Sequence, residues 1–98
     1  MKVAQKPSKL VQIRAPRRLD RFTAPPLFED LESKVEKGIC LAIDLSQTQV
    51  VDRVGAGVIR EGFLRCKKNR TRLKLLGVKP AVKKALQNEG LLPRVSGN

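Results

Sequence analysis

The residues best suited to chemistry gather between Val50 and Ile59: Asp52, Arg53, and the glycine pair Gly55 and Gly57. An apolar run ends at Asp52, and an apolar pattern at helical spacing starts at Val58. That order reads as a strand, a tight turn and a helix. A helix start collects unpaired N–H groups at the positive end of the helix dipole, so it suits an anion or a protein partner. Asp52 is expected to brace the turn. Gly55 and Gly57 are expected to let a second backbone approach closely. The stretch contains no hydroxyl.

No catalytic set assembles elsewhere. The chain has no histidine for general base work. Asp44 and Asp52 end two apolar runs, with no Lys or hydroxyl at a fixed spacing, and are expected to cap turn N–H groups. Gly55-Ala56-Gly57 opens like a dinucleotide fingerprint, but Arg60 stands where its third glycine belongs. No Gly-Lys-Ser/Thr follows, which excludes a P-loop. Cys40 and Cys66 sit in apolar surroundings and are expected as free thiols. Two lone cysteines do not make a zinc site. Ser46 and Thr48 read as turn hydroxyls, with phosphate acceptance as the alternative. No enzyme, metal or cofactor is expected.

The elements that must position these residues follow from periodicity. Residues 1–9 contain Pro7 and read as a flexible basic arm. Leu10 to Arg14 is a strand candidate ended by Ala15-Pro16, and Arg17 to Asp20 continues extended. Thr23 is placed to cap a helix that tolerates Pro25 and Pro26 in its first turn. Leu27, Phe28, Leu31 and Val35 mark that helix, and Gly38 is expected to end it. Ile39 to Leu45 reads as a buried central strand. Val58, Ile59, Gly62, Phe63 and Cys66 share one face of a second helix, closed by Asn69-Arg70. Arg72 to Leu76 alternates as a strand. Pro80 starts a third helix, with Val82, Ala85 and Leu86 inward and Gly90 at its end. Residues 91–95 form a short closing segment and 96–98 a disordered tail.

Strands alternating with helices imply an α/β domain: a mixed, mostly parallel sheet of about four to five strands with about three main helices. One domain is expected from 98 residues. No apolar run approaches the ~20 residues of a membrane span, and no secretory signal is read at the basic N-terminus. A cytoplasmic protein is expected.

The net charge of +12 is unevenly placed. Residues 1–21 carry seven Lys/Arg and one acid, residues 22–59 three against six, and residues 60–98 eleven against two. Such a chain suits acidic partners. Arg60, Arg65, Lys67, Lys68, Lys83 and Lys84 are the candidate contacts to nucleic acid or an anionic surface. With no Tyr or Trp and only three Phe, a base-stacking surface is hard to build, so nucleic acid is not favoured.

Leu19-Asp20-x-x-Thr23-Ala24-Pro25, Ile43-Asp44-Leu45-Ser46, Val51-Asp52-x-x-Gly55-x-Gly57-Val58, Leu73-Lys74-Leu75, Val82-x-x-Ala85-Leu86 and Gly90-Leu91 together resemble the STAS domain. The resemblance covers residues 10–95. It runs closest to bacterial anti-sigma factor antagonists and more loosely to STAS subunits of lipid-transport ABC systems. It implies a curved sheet with helices mainly on one side, and partner binding through the strand–helix turn and its neighbours. The implied partner is an anti-sigma factor or related serine-kinase-like protein. The implied contact residues are Asp20, Thr23, Ser46, Asp52, Arg53, Val54, Gly55 and Gly57. In that family the hydroxyl residue just before the glycine of the turn is phosphorylated by the partner. Here Val54 occupies that place and cannot accept phosphate, while Arg53 adds a fixed cation that favours an acidic partner patch. The expected function is that of an antagonist-like regulator insensitive to phosphorylation at the usual position.

Overall fold

The computed structural model describes residues 9–91. Apart from Lys9, the expected arm lies outside this range, as do the closing segment beyond Leu91 and the tail over 96–98. The chain runs β1 (Leu10–Arg14), β2 (Arg18–Leu19), α1 (Ala24–Lys34), β3 (Cys40–Asp44), β4 (Val50–Val51), α2 (Arg53–Lys68), β5 (Arg72–Leu76) and α3 (Pro80–Asn88).

Period-two alternation decides which side of the sheet is covered. β1 and β5 pair in parallel with the central β3. The register aligns Val11 with Leu41 and Leu73, and Ile13 with Ile43 and Leu75. These apolar rows join Leu27 and Leu31 of α1 and Ile59 and Cys66 of α2 in one core. Full burial of each large member contributes about 1.5–3 kcal/mol. The intervening rows carry Gln12, Arg14, Arg72 and Lys74, all exposed. The three-stranded sheet therefore has its main core on the helix side, while the opposite face mixes these polar residues with Leu10, Cys40, Ala42 and Leu76.

The strands are parallel throughout, but they form two sheets rather than one. β2 pairs with β4 separately, Arg18 beside Val50 and Leu19 beside Val51. The break falls at Pro16, which has no N–H to continue the ladder. Side chains and loop amides bridge the gap. Gln47 Nε2 donates to the Ala15 carbonyl at 3.0 Å, Thr48 Oγ1 to the Pro16 carbonyl at 2.7 Å, and the Gln49 N–H to the Arg17 carbonyl at 2.8 Å.

Two helix limits differ from expectation. The Thr23 hydroxyl does not cap α1. It donates to the Arg18 carbonyl at 2.7 Å and accepts the Asp20 N–H at 3.0 Å, which commits it to the turn before the helix. α1 also stops at Lys34, short of Gly38, with Val35 already extended. Val35 packs against the core. The link that follows is pinned by the Thr71 hydroxyl on the Glu36 carbonyl at 2.8 Å and the Gly38 N–H on the Arg70 carbonyl at 3.2 Å.

Candidate functional site

Parallel strands place their C-terminal ends, and the starts of the helices that follow them, at one end of a sheet, where α/β folds commonly bind ligands. Asp20, Ser46 and Asp52 follow the ends of β2, β3 and β4, and each belongs to a turn braced by an aspartate.

The helix start at Asp52 is the most tightly specified. The Asp52 side chain accepts the Gly55 N–H at 2.8 Å, and its carbonyl accepts the Ala56 N–H at 2.9 Å. Asp52 is therefore the N-cap of α2, a role worth about 1 kcal/mol. The Asp52 N–H donates to the Leu19 carbonyl at 3.1 Å, which fastens the cap to β2. No separate turn intervenes between strand and helix. Gly55 and Gly57 lie inside α2, which corrects their assignment as turn residues.

The two glycines serve different ends. A Cβ on Gly55 would fall well inside contact distance of the Leu19 carbonyl oxygen and 2.9 Å from Leu19 Cγ. Gly55 is buried, so its close approach is to the chain's own β2 rather than to a partner. A Cβ on Gly57 would meet nothing within 4 Å. Val54, beside them, is 45% exposed.

Arg53 is exposed, with its Nε 3.8 Å from Glu89 at the end of α3. The sequence reading missed Glu89. Its place just beyond a helix pattern in an otherwise cationic segment is the signal that was available.

The Asp20 turn is a short-range network. Asp20 Oδ1 accepts the Phe22 and Thr23 N–H groups at 3.0 and 3.2 Å. These bonds, the Phe22 N–H foremost, hold the Asp20 carboxyl below its ordinary range, with help from the Thr23 hydroxyl and the Arg18 charge. The same turn leaves Phe22 exposed, a residue not singled out from sequence. Asp44 is likewise held low, first by the Ser46 N–H at 2.9 Å and then by the Ser46 hydroxyl and Arg14.

The two candidate hydroxyls separate. Thr48 is fully buried and donates to the Pro16 carbonyl, so it is not open to a kinase. Ser46 is exposed. Gly77, with φ of 64°, packs on the Ser46 backbone, where a Cβ would come within 2.7 Å of Ser46 Cβ. That left-handed φ and that contact call for glycine.

Arg60, Lys67, Lys68, Lys83 and Lys84 are exposed. Arg65 is engaged instead, 2.6 Å from Glu32 and with its guanidinium 5.8 Å from the Phe28 ring centroid, so it staples α2 to α1. Cys40 and Cys66 are free thiols, and burial pushes the Cys66 thiol up. Among the described residues no group of three or more His, Cys, Asp or Glu is placed to hold a metal. No helix among them is long and apolar enough to cross a membrane.

Residues 1–96 match the model of the STAS domain family. The anti-sigma-B factor antagonists of Listeria monocytogenes and Listeria innocua are each 32% identical to this chain over 74 residues, a stretch that spans 74% of this chain and 65% of theirs. The crystal structure of a sulfate transporter family protein from Wolinella succinogenes superposes with a TM-score of 0.71 over 96% of this chain and 75% of that one. At 23% identity, that likeness is one of fold.

Proposed function

The chain belongs to the STAS domain family, and from that premise we propose that it is an anti-sigma factor antagonist-like regulator that acts by binding another protein. The binding face is the outer side of the first turns of α2: Arg53, Val54 and Gly57, flanked by Asp20, Thr23 and Ser46. The partner is an anti-sigma factor or a related serine-kinase-like protein, met in the cytoplasm. The protein is a binder and not an enzyme.

The observation that carries this reading is the pairing of an exposed Val54 with a glycine that the fold does not require. Glycine within a helix costs about 0.5–1 kcal/mol relative to alanine. A glycine kept where a methyl group would fit supports close approach by something outside the chain. Asp52 and Gly55 hold this surface in place and do not themselves meet the partner.

Docking is constitutive. A phosphate on this helix start would add about −2 charge in the middle of the face, and Val54 has no oxygen to carry it. Incubation with the cognate kinase and ATP, followed by intact-mass measurement, is expected to show complex formation with no added phosphate. Stoichiometric phosphate on Ser46 or another residue of this region would overturn the insensitivity.

A second reading is favoured by one observation: of Arg60, Arg65, Lys67, Lys68, Lys83 and Lys84, only Arg65 has a carboxylate partner among the described residues. The other five are available to nucleic acid or an anionic surface. Such binding must weaken steeply as salt rises. A salt titration with duplex DNA and with anionic vesicles tests it, and no binding at low salt removes it.

A further inference from the structure

A groove of about 400 Å³ lies between the end of β1, the turn after β2 and the start of α1. Ala15, Pro16, Phe22, Pro26 and Leu27 give it apolar walls, and Arg14 forms part of the rim. It is an open groove rather than a closed cavity. Small free ligands are usually held in sites that bury most of their surface. An open, apolar groove suits a single side chain carried by a polypeptide that passes over it.

Two features indicate what that polypeptide carries. The first is Phe22, which is 73% exposed in a chain with only three aromatic residues. The Asp20 carboxylate bonds to the Phe22 and Thr23 N–H groups fix the turn that presents the ring, and the Arg21 guanidinium lies 5.0 Å from its centroid. The second is charge. Arg14, Arg17, Arg18 and Arg21 are all exposed on the segments that border the groove.

The carboxylates nearby are already engaged. Asp30, in the groove wall, pairs with Lys34. Asp20 serves its own turn and lies 4.0 Å from Arg18. Asp44, opposite Arg14 in register, accepts the Ser46 N–H at 2.9 Å and Gln12 Nε2 at 3.4 Å. Arg14 lines the slot, Arg21 lies over the Phe22 ring, and exposed Arg17 follows Pro16 of the wall, and none of the three has a carboxylate within ion-pair distance among the described residues.

We infer that this groove docks an acidic segment of a partner protein, which inserts one large apolar side chain against Phe22, Pro26 and Leu27 while its carboxylates meet Arg14, Arg17 and Arg21. The apolar anchor supplies most of the affinity, and the exposed arginines set orientation and association rate. The site goes beyond the binding face proposed on α2 and holds whichever protein occupies that face.

The test uses the full chain, 15N-labelled, titrated with a capped hexapeptide that has one phenylalanine flanked by Asp and Glu. Saturable shifts are expected at the amides of Phe22, Thr23, Leu27 and Gln47. Affinity is expected to fall about tenfold in the exposed-site variants Phe22→Ser and Arg14→Gln. It is expected to fall similarly for peptides with the phenylalanine changed to alanine or the acids changed to their amides. Gly57→Ala is expected to leave peptide affinity unchanged, so failure here is distinct from failure at the α2 face. No saturable shift by ~2 mM peptide, or shifts centred elsewhere, would overturn the inference. So would equal binding of the amide peptide, or binding of decanoate without the peptide, which would make the groove a small-molecule site.

Discussion

Gly55 and Gly57 stand two residues apart near the start of α2, one against β2 and the other in open space. At Gly55 the helix backbone is pressed onto Leu19, and a methyl group has nowhere to go. At Gly57 a methyl group would touch nothing in the molecule. The same residue type thus answers to folding on the inner side of the helix and, in the proposed function, to a partner on the outer side. Demands that look identical in a Gly-x-Gly pattern separate once the neighbours of each position are known.

The largest expected effect breaks the inner side. Gly55→Val forces branched carbons into the Leu19 backbone and is expected to cost about 3 kcal/mol or more, read as a fall in the urea midpoint or a failure to fold. Asp52→Ala removes the cap that seats the same turn. It is expected to cost about 1 kcal/mol, with the first amides of α2 losing hydrogen-exchange protection ahead of the rest of the helix. Gly57→Ala sharpens the contrast because its sign is reversed. It is expected to stabilise the fold by about 0.5–1 kcal/mol, seen as a raised thermal midpoint.

The smallest effect concerns the neighbouring turns. Asp20 and Asp44 have folded pKa values below the ordinary 3.8. A carboxyl lowered by folding stabilises the protein above its unfolded pKa, and that stability is lost as pH falls through the folded value. The urea midpoint is therefore expected to hold from about pH 8 to about pH 5 and to drop below about pH 4. Asp20→Asn is expected to shallow that drop. A midpoint that instead falls on raising pH from 5 to 8 would contradict this assignment.

Much of the fold is legible in the residues. The alternation of β1 and β5, the apolar run of β3, and the helical spacing of Val82 and Leu86 each predict an element that is present. Asp52 is legible as a brace because an aspartate before a helix has one common use. Three things escaped for the same physical reason, that tertiary neighbours decide them. Thr23 has the right type and place for a cap, but its hydroxyl oxygen accepts the Asp20 N–H of the preceding turn instead of a helix N–H. Gly38 is a good helix terminator, but the core claims Val35 first. The split of the strands into two sheets falls at Pro16, but that the two halves stay joined across it depends on Gln47 and Thr48 bonding to residues 15 and 16, a contact 32 positions away in sequence. The groove was hidden because nothing in the spacing around Phe22 marks it, and only the Asp20 turn shows that its ring is left exposed.

The outer face of α2 is tested most directly by titrating the proposed partner, an anti-sigma factor, against the wild type, Val54→Asp and Gly57→Ala in a calorimeter, beside their thermal midpoints. Both variants are expected to bind about tenfold more weakly or worse, with a midpoint unchanged or raised. Undiminished affinity in both, from protein that is fully folded, would contradict the assignment of this face to the partner.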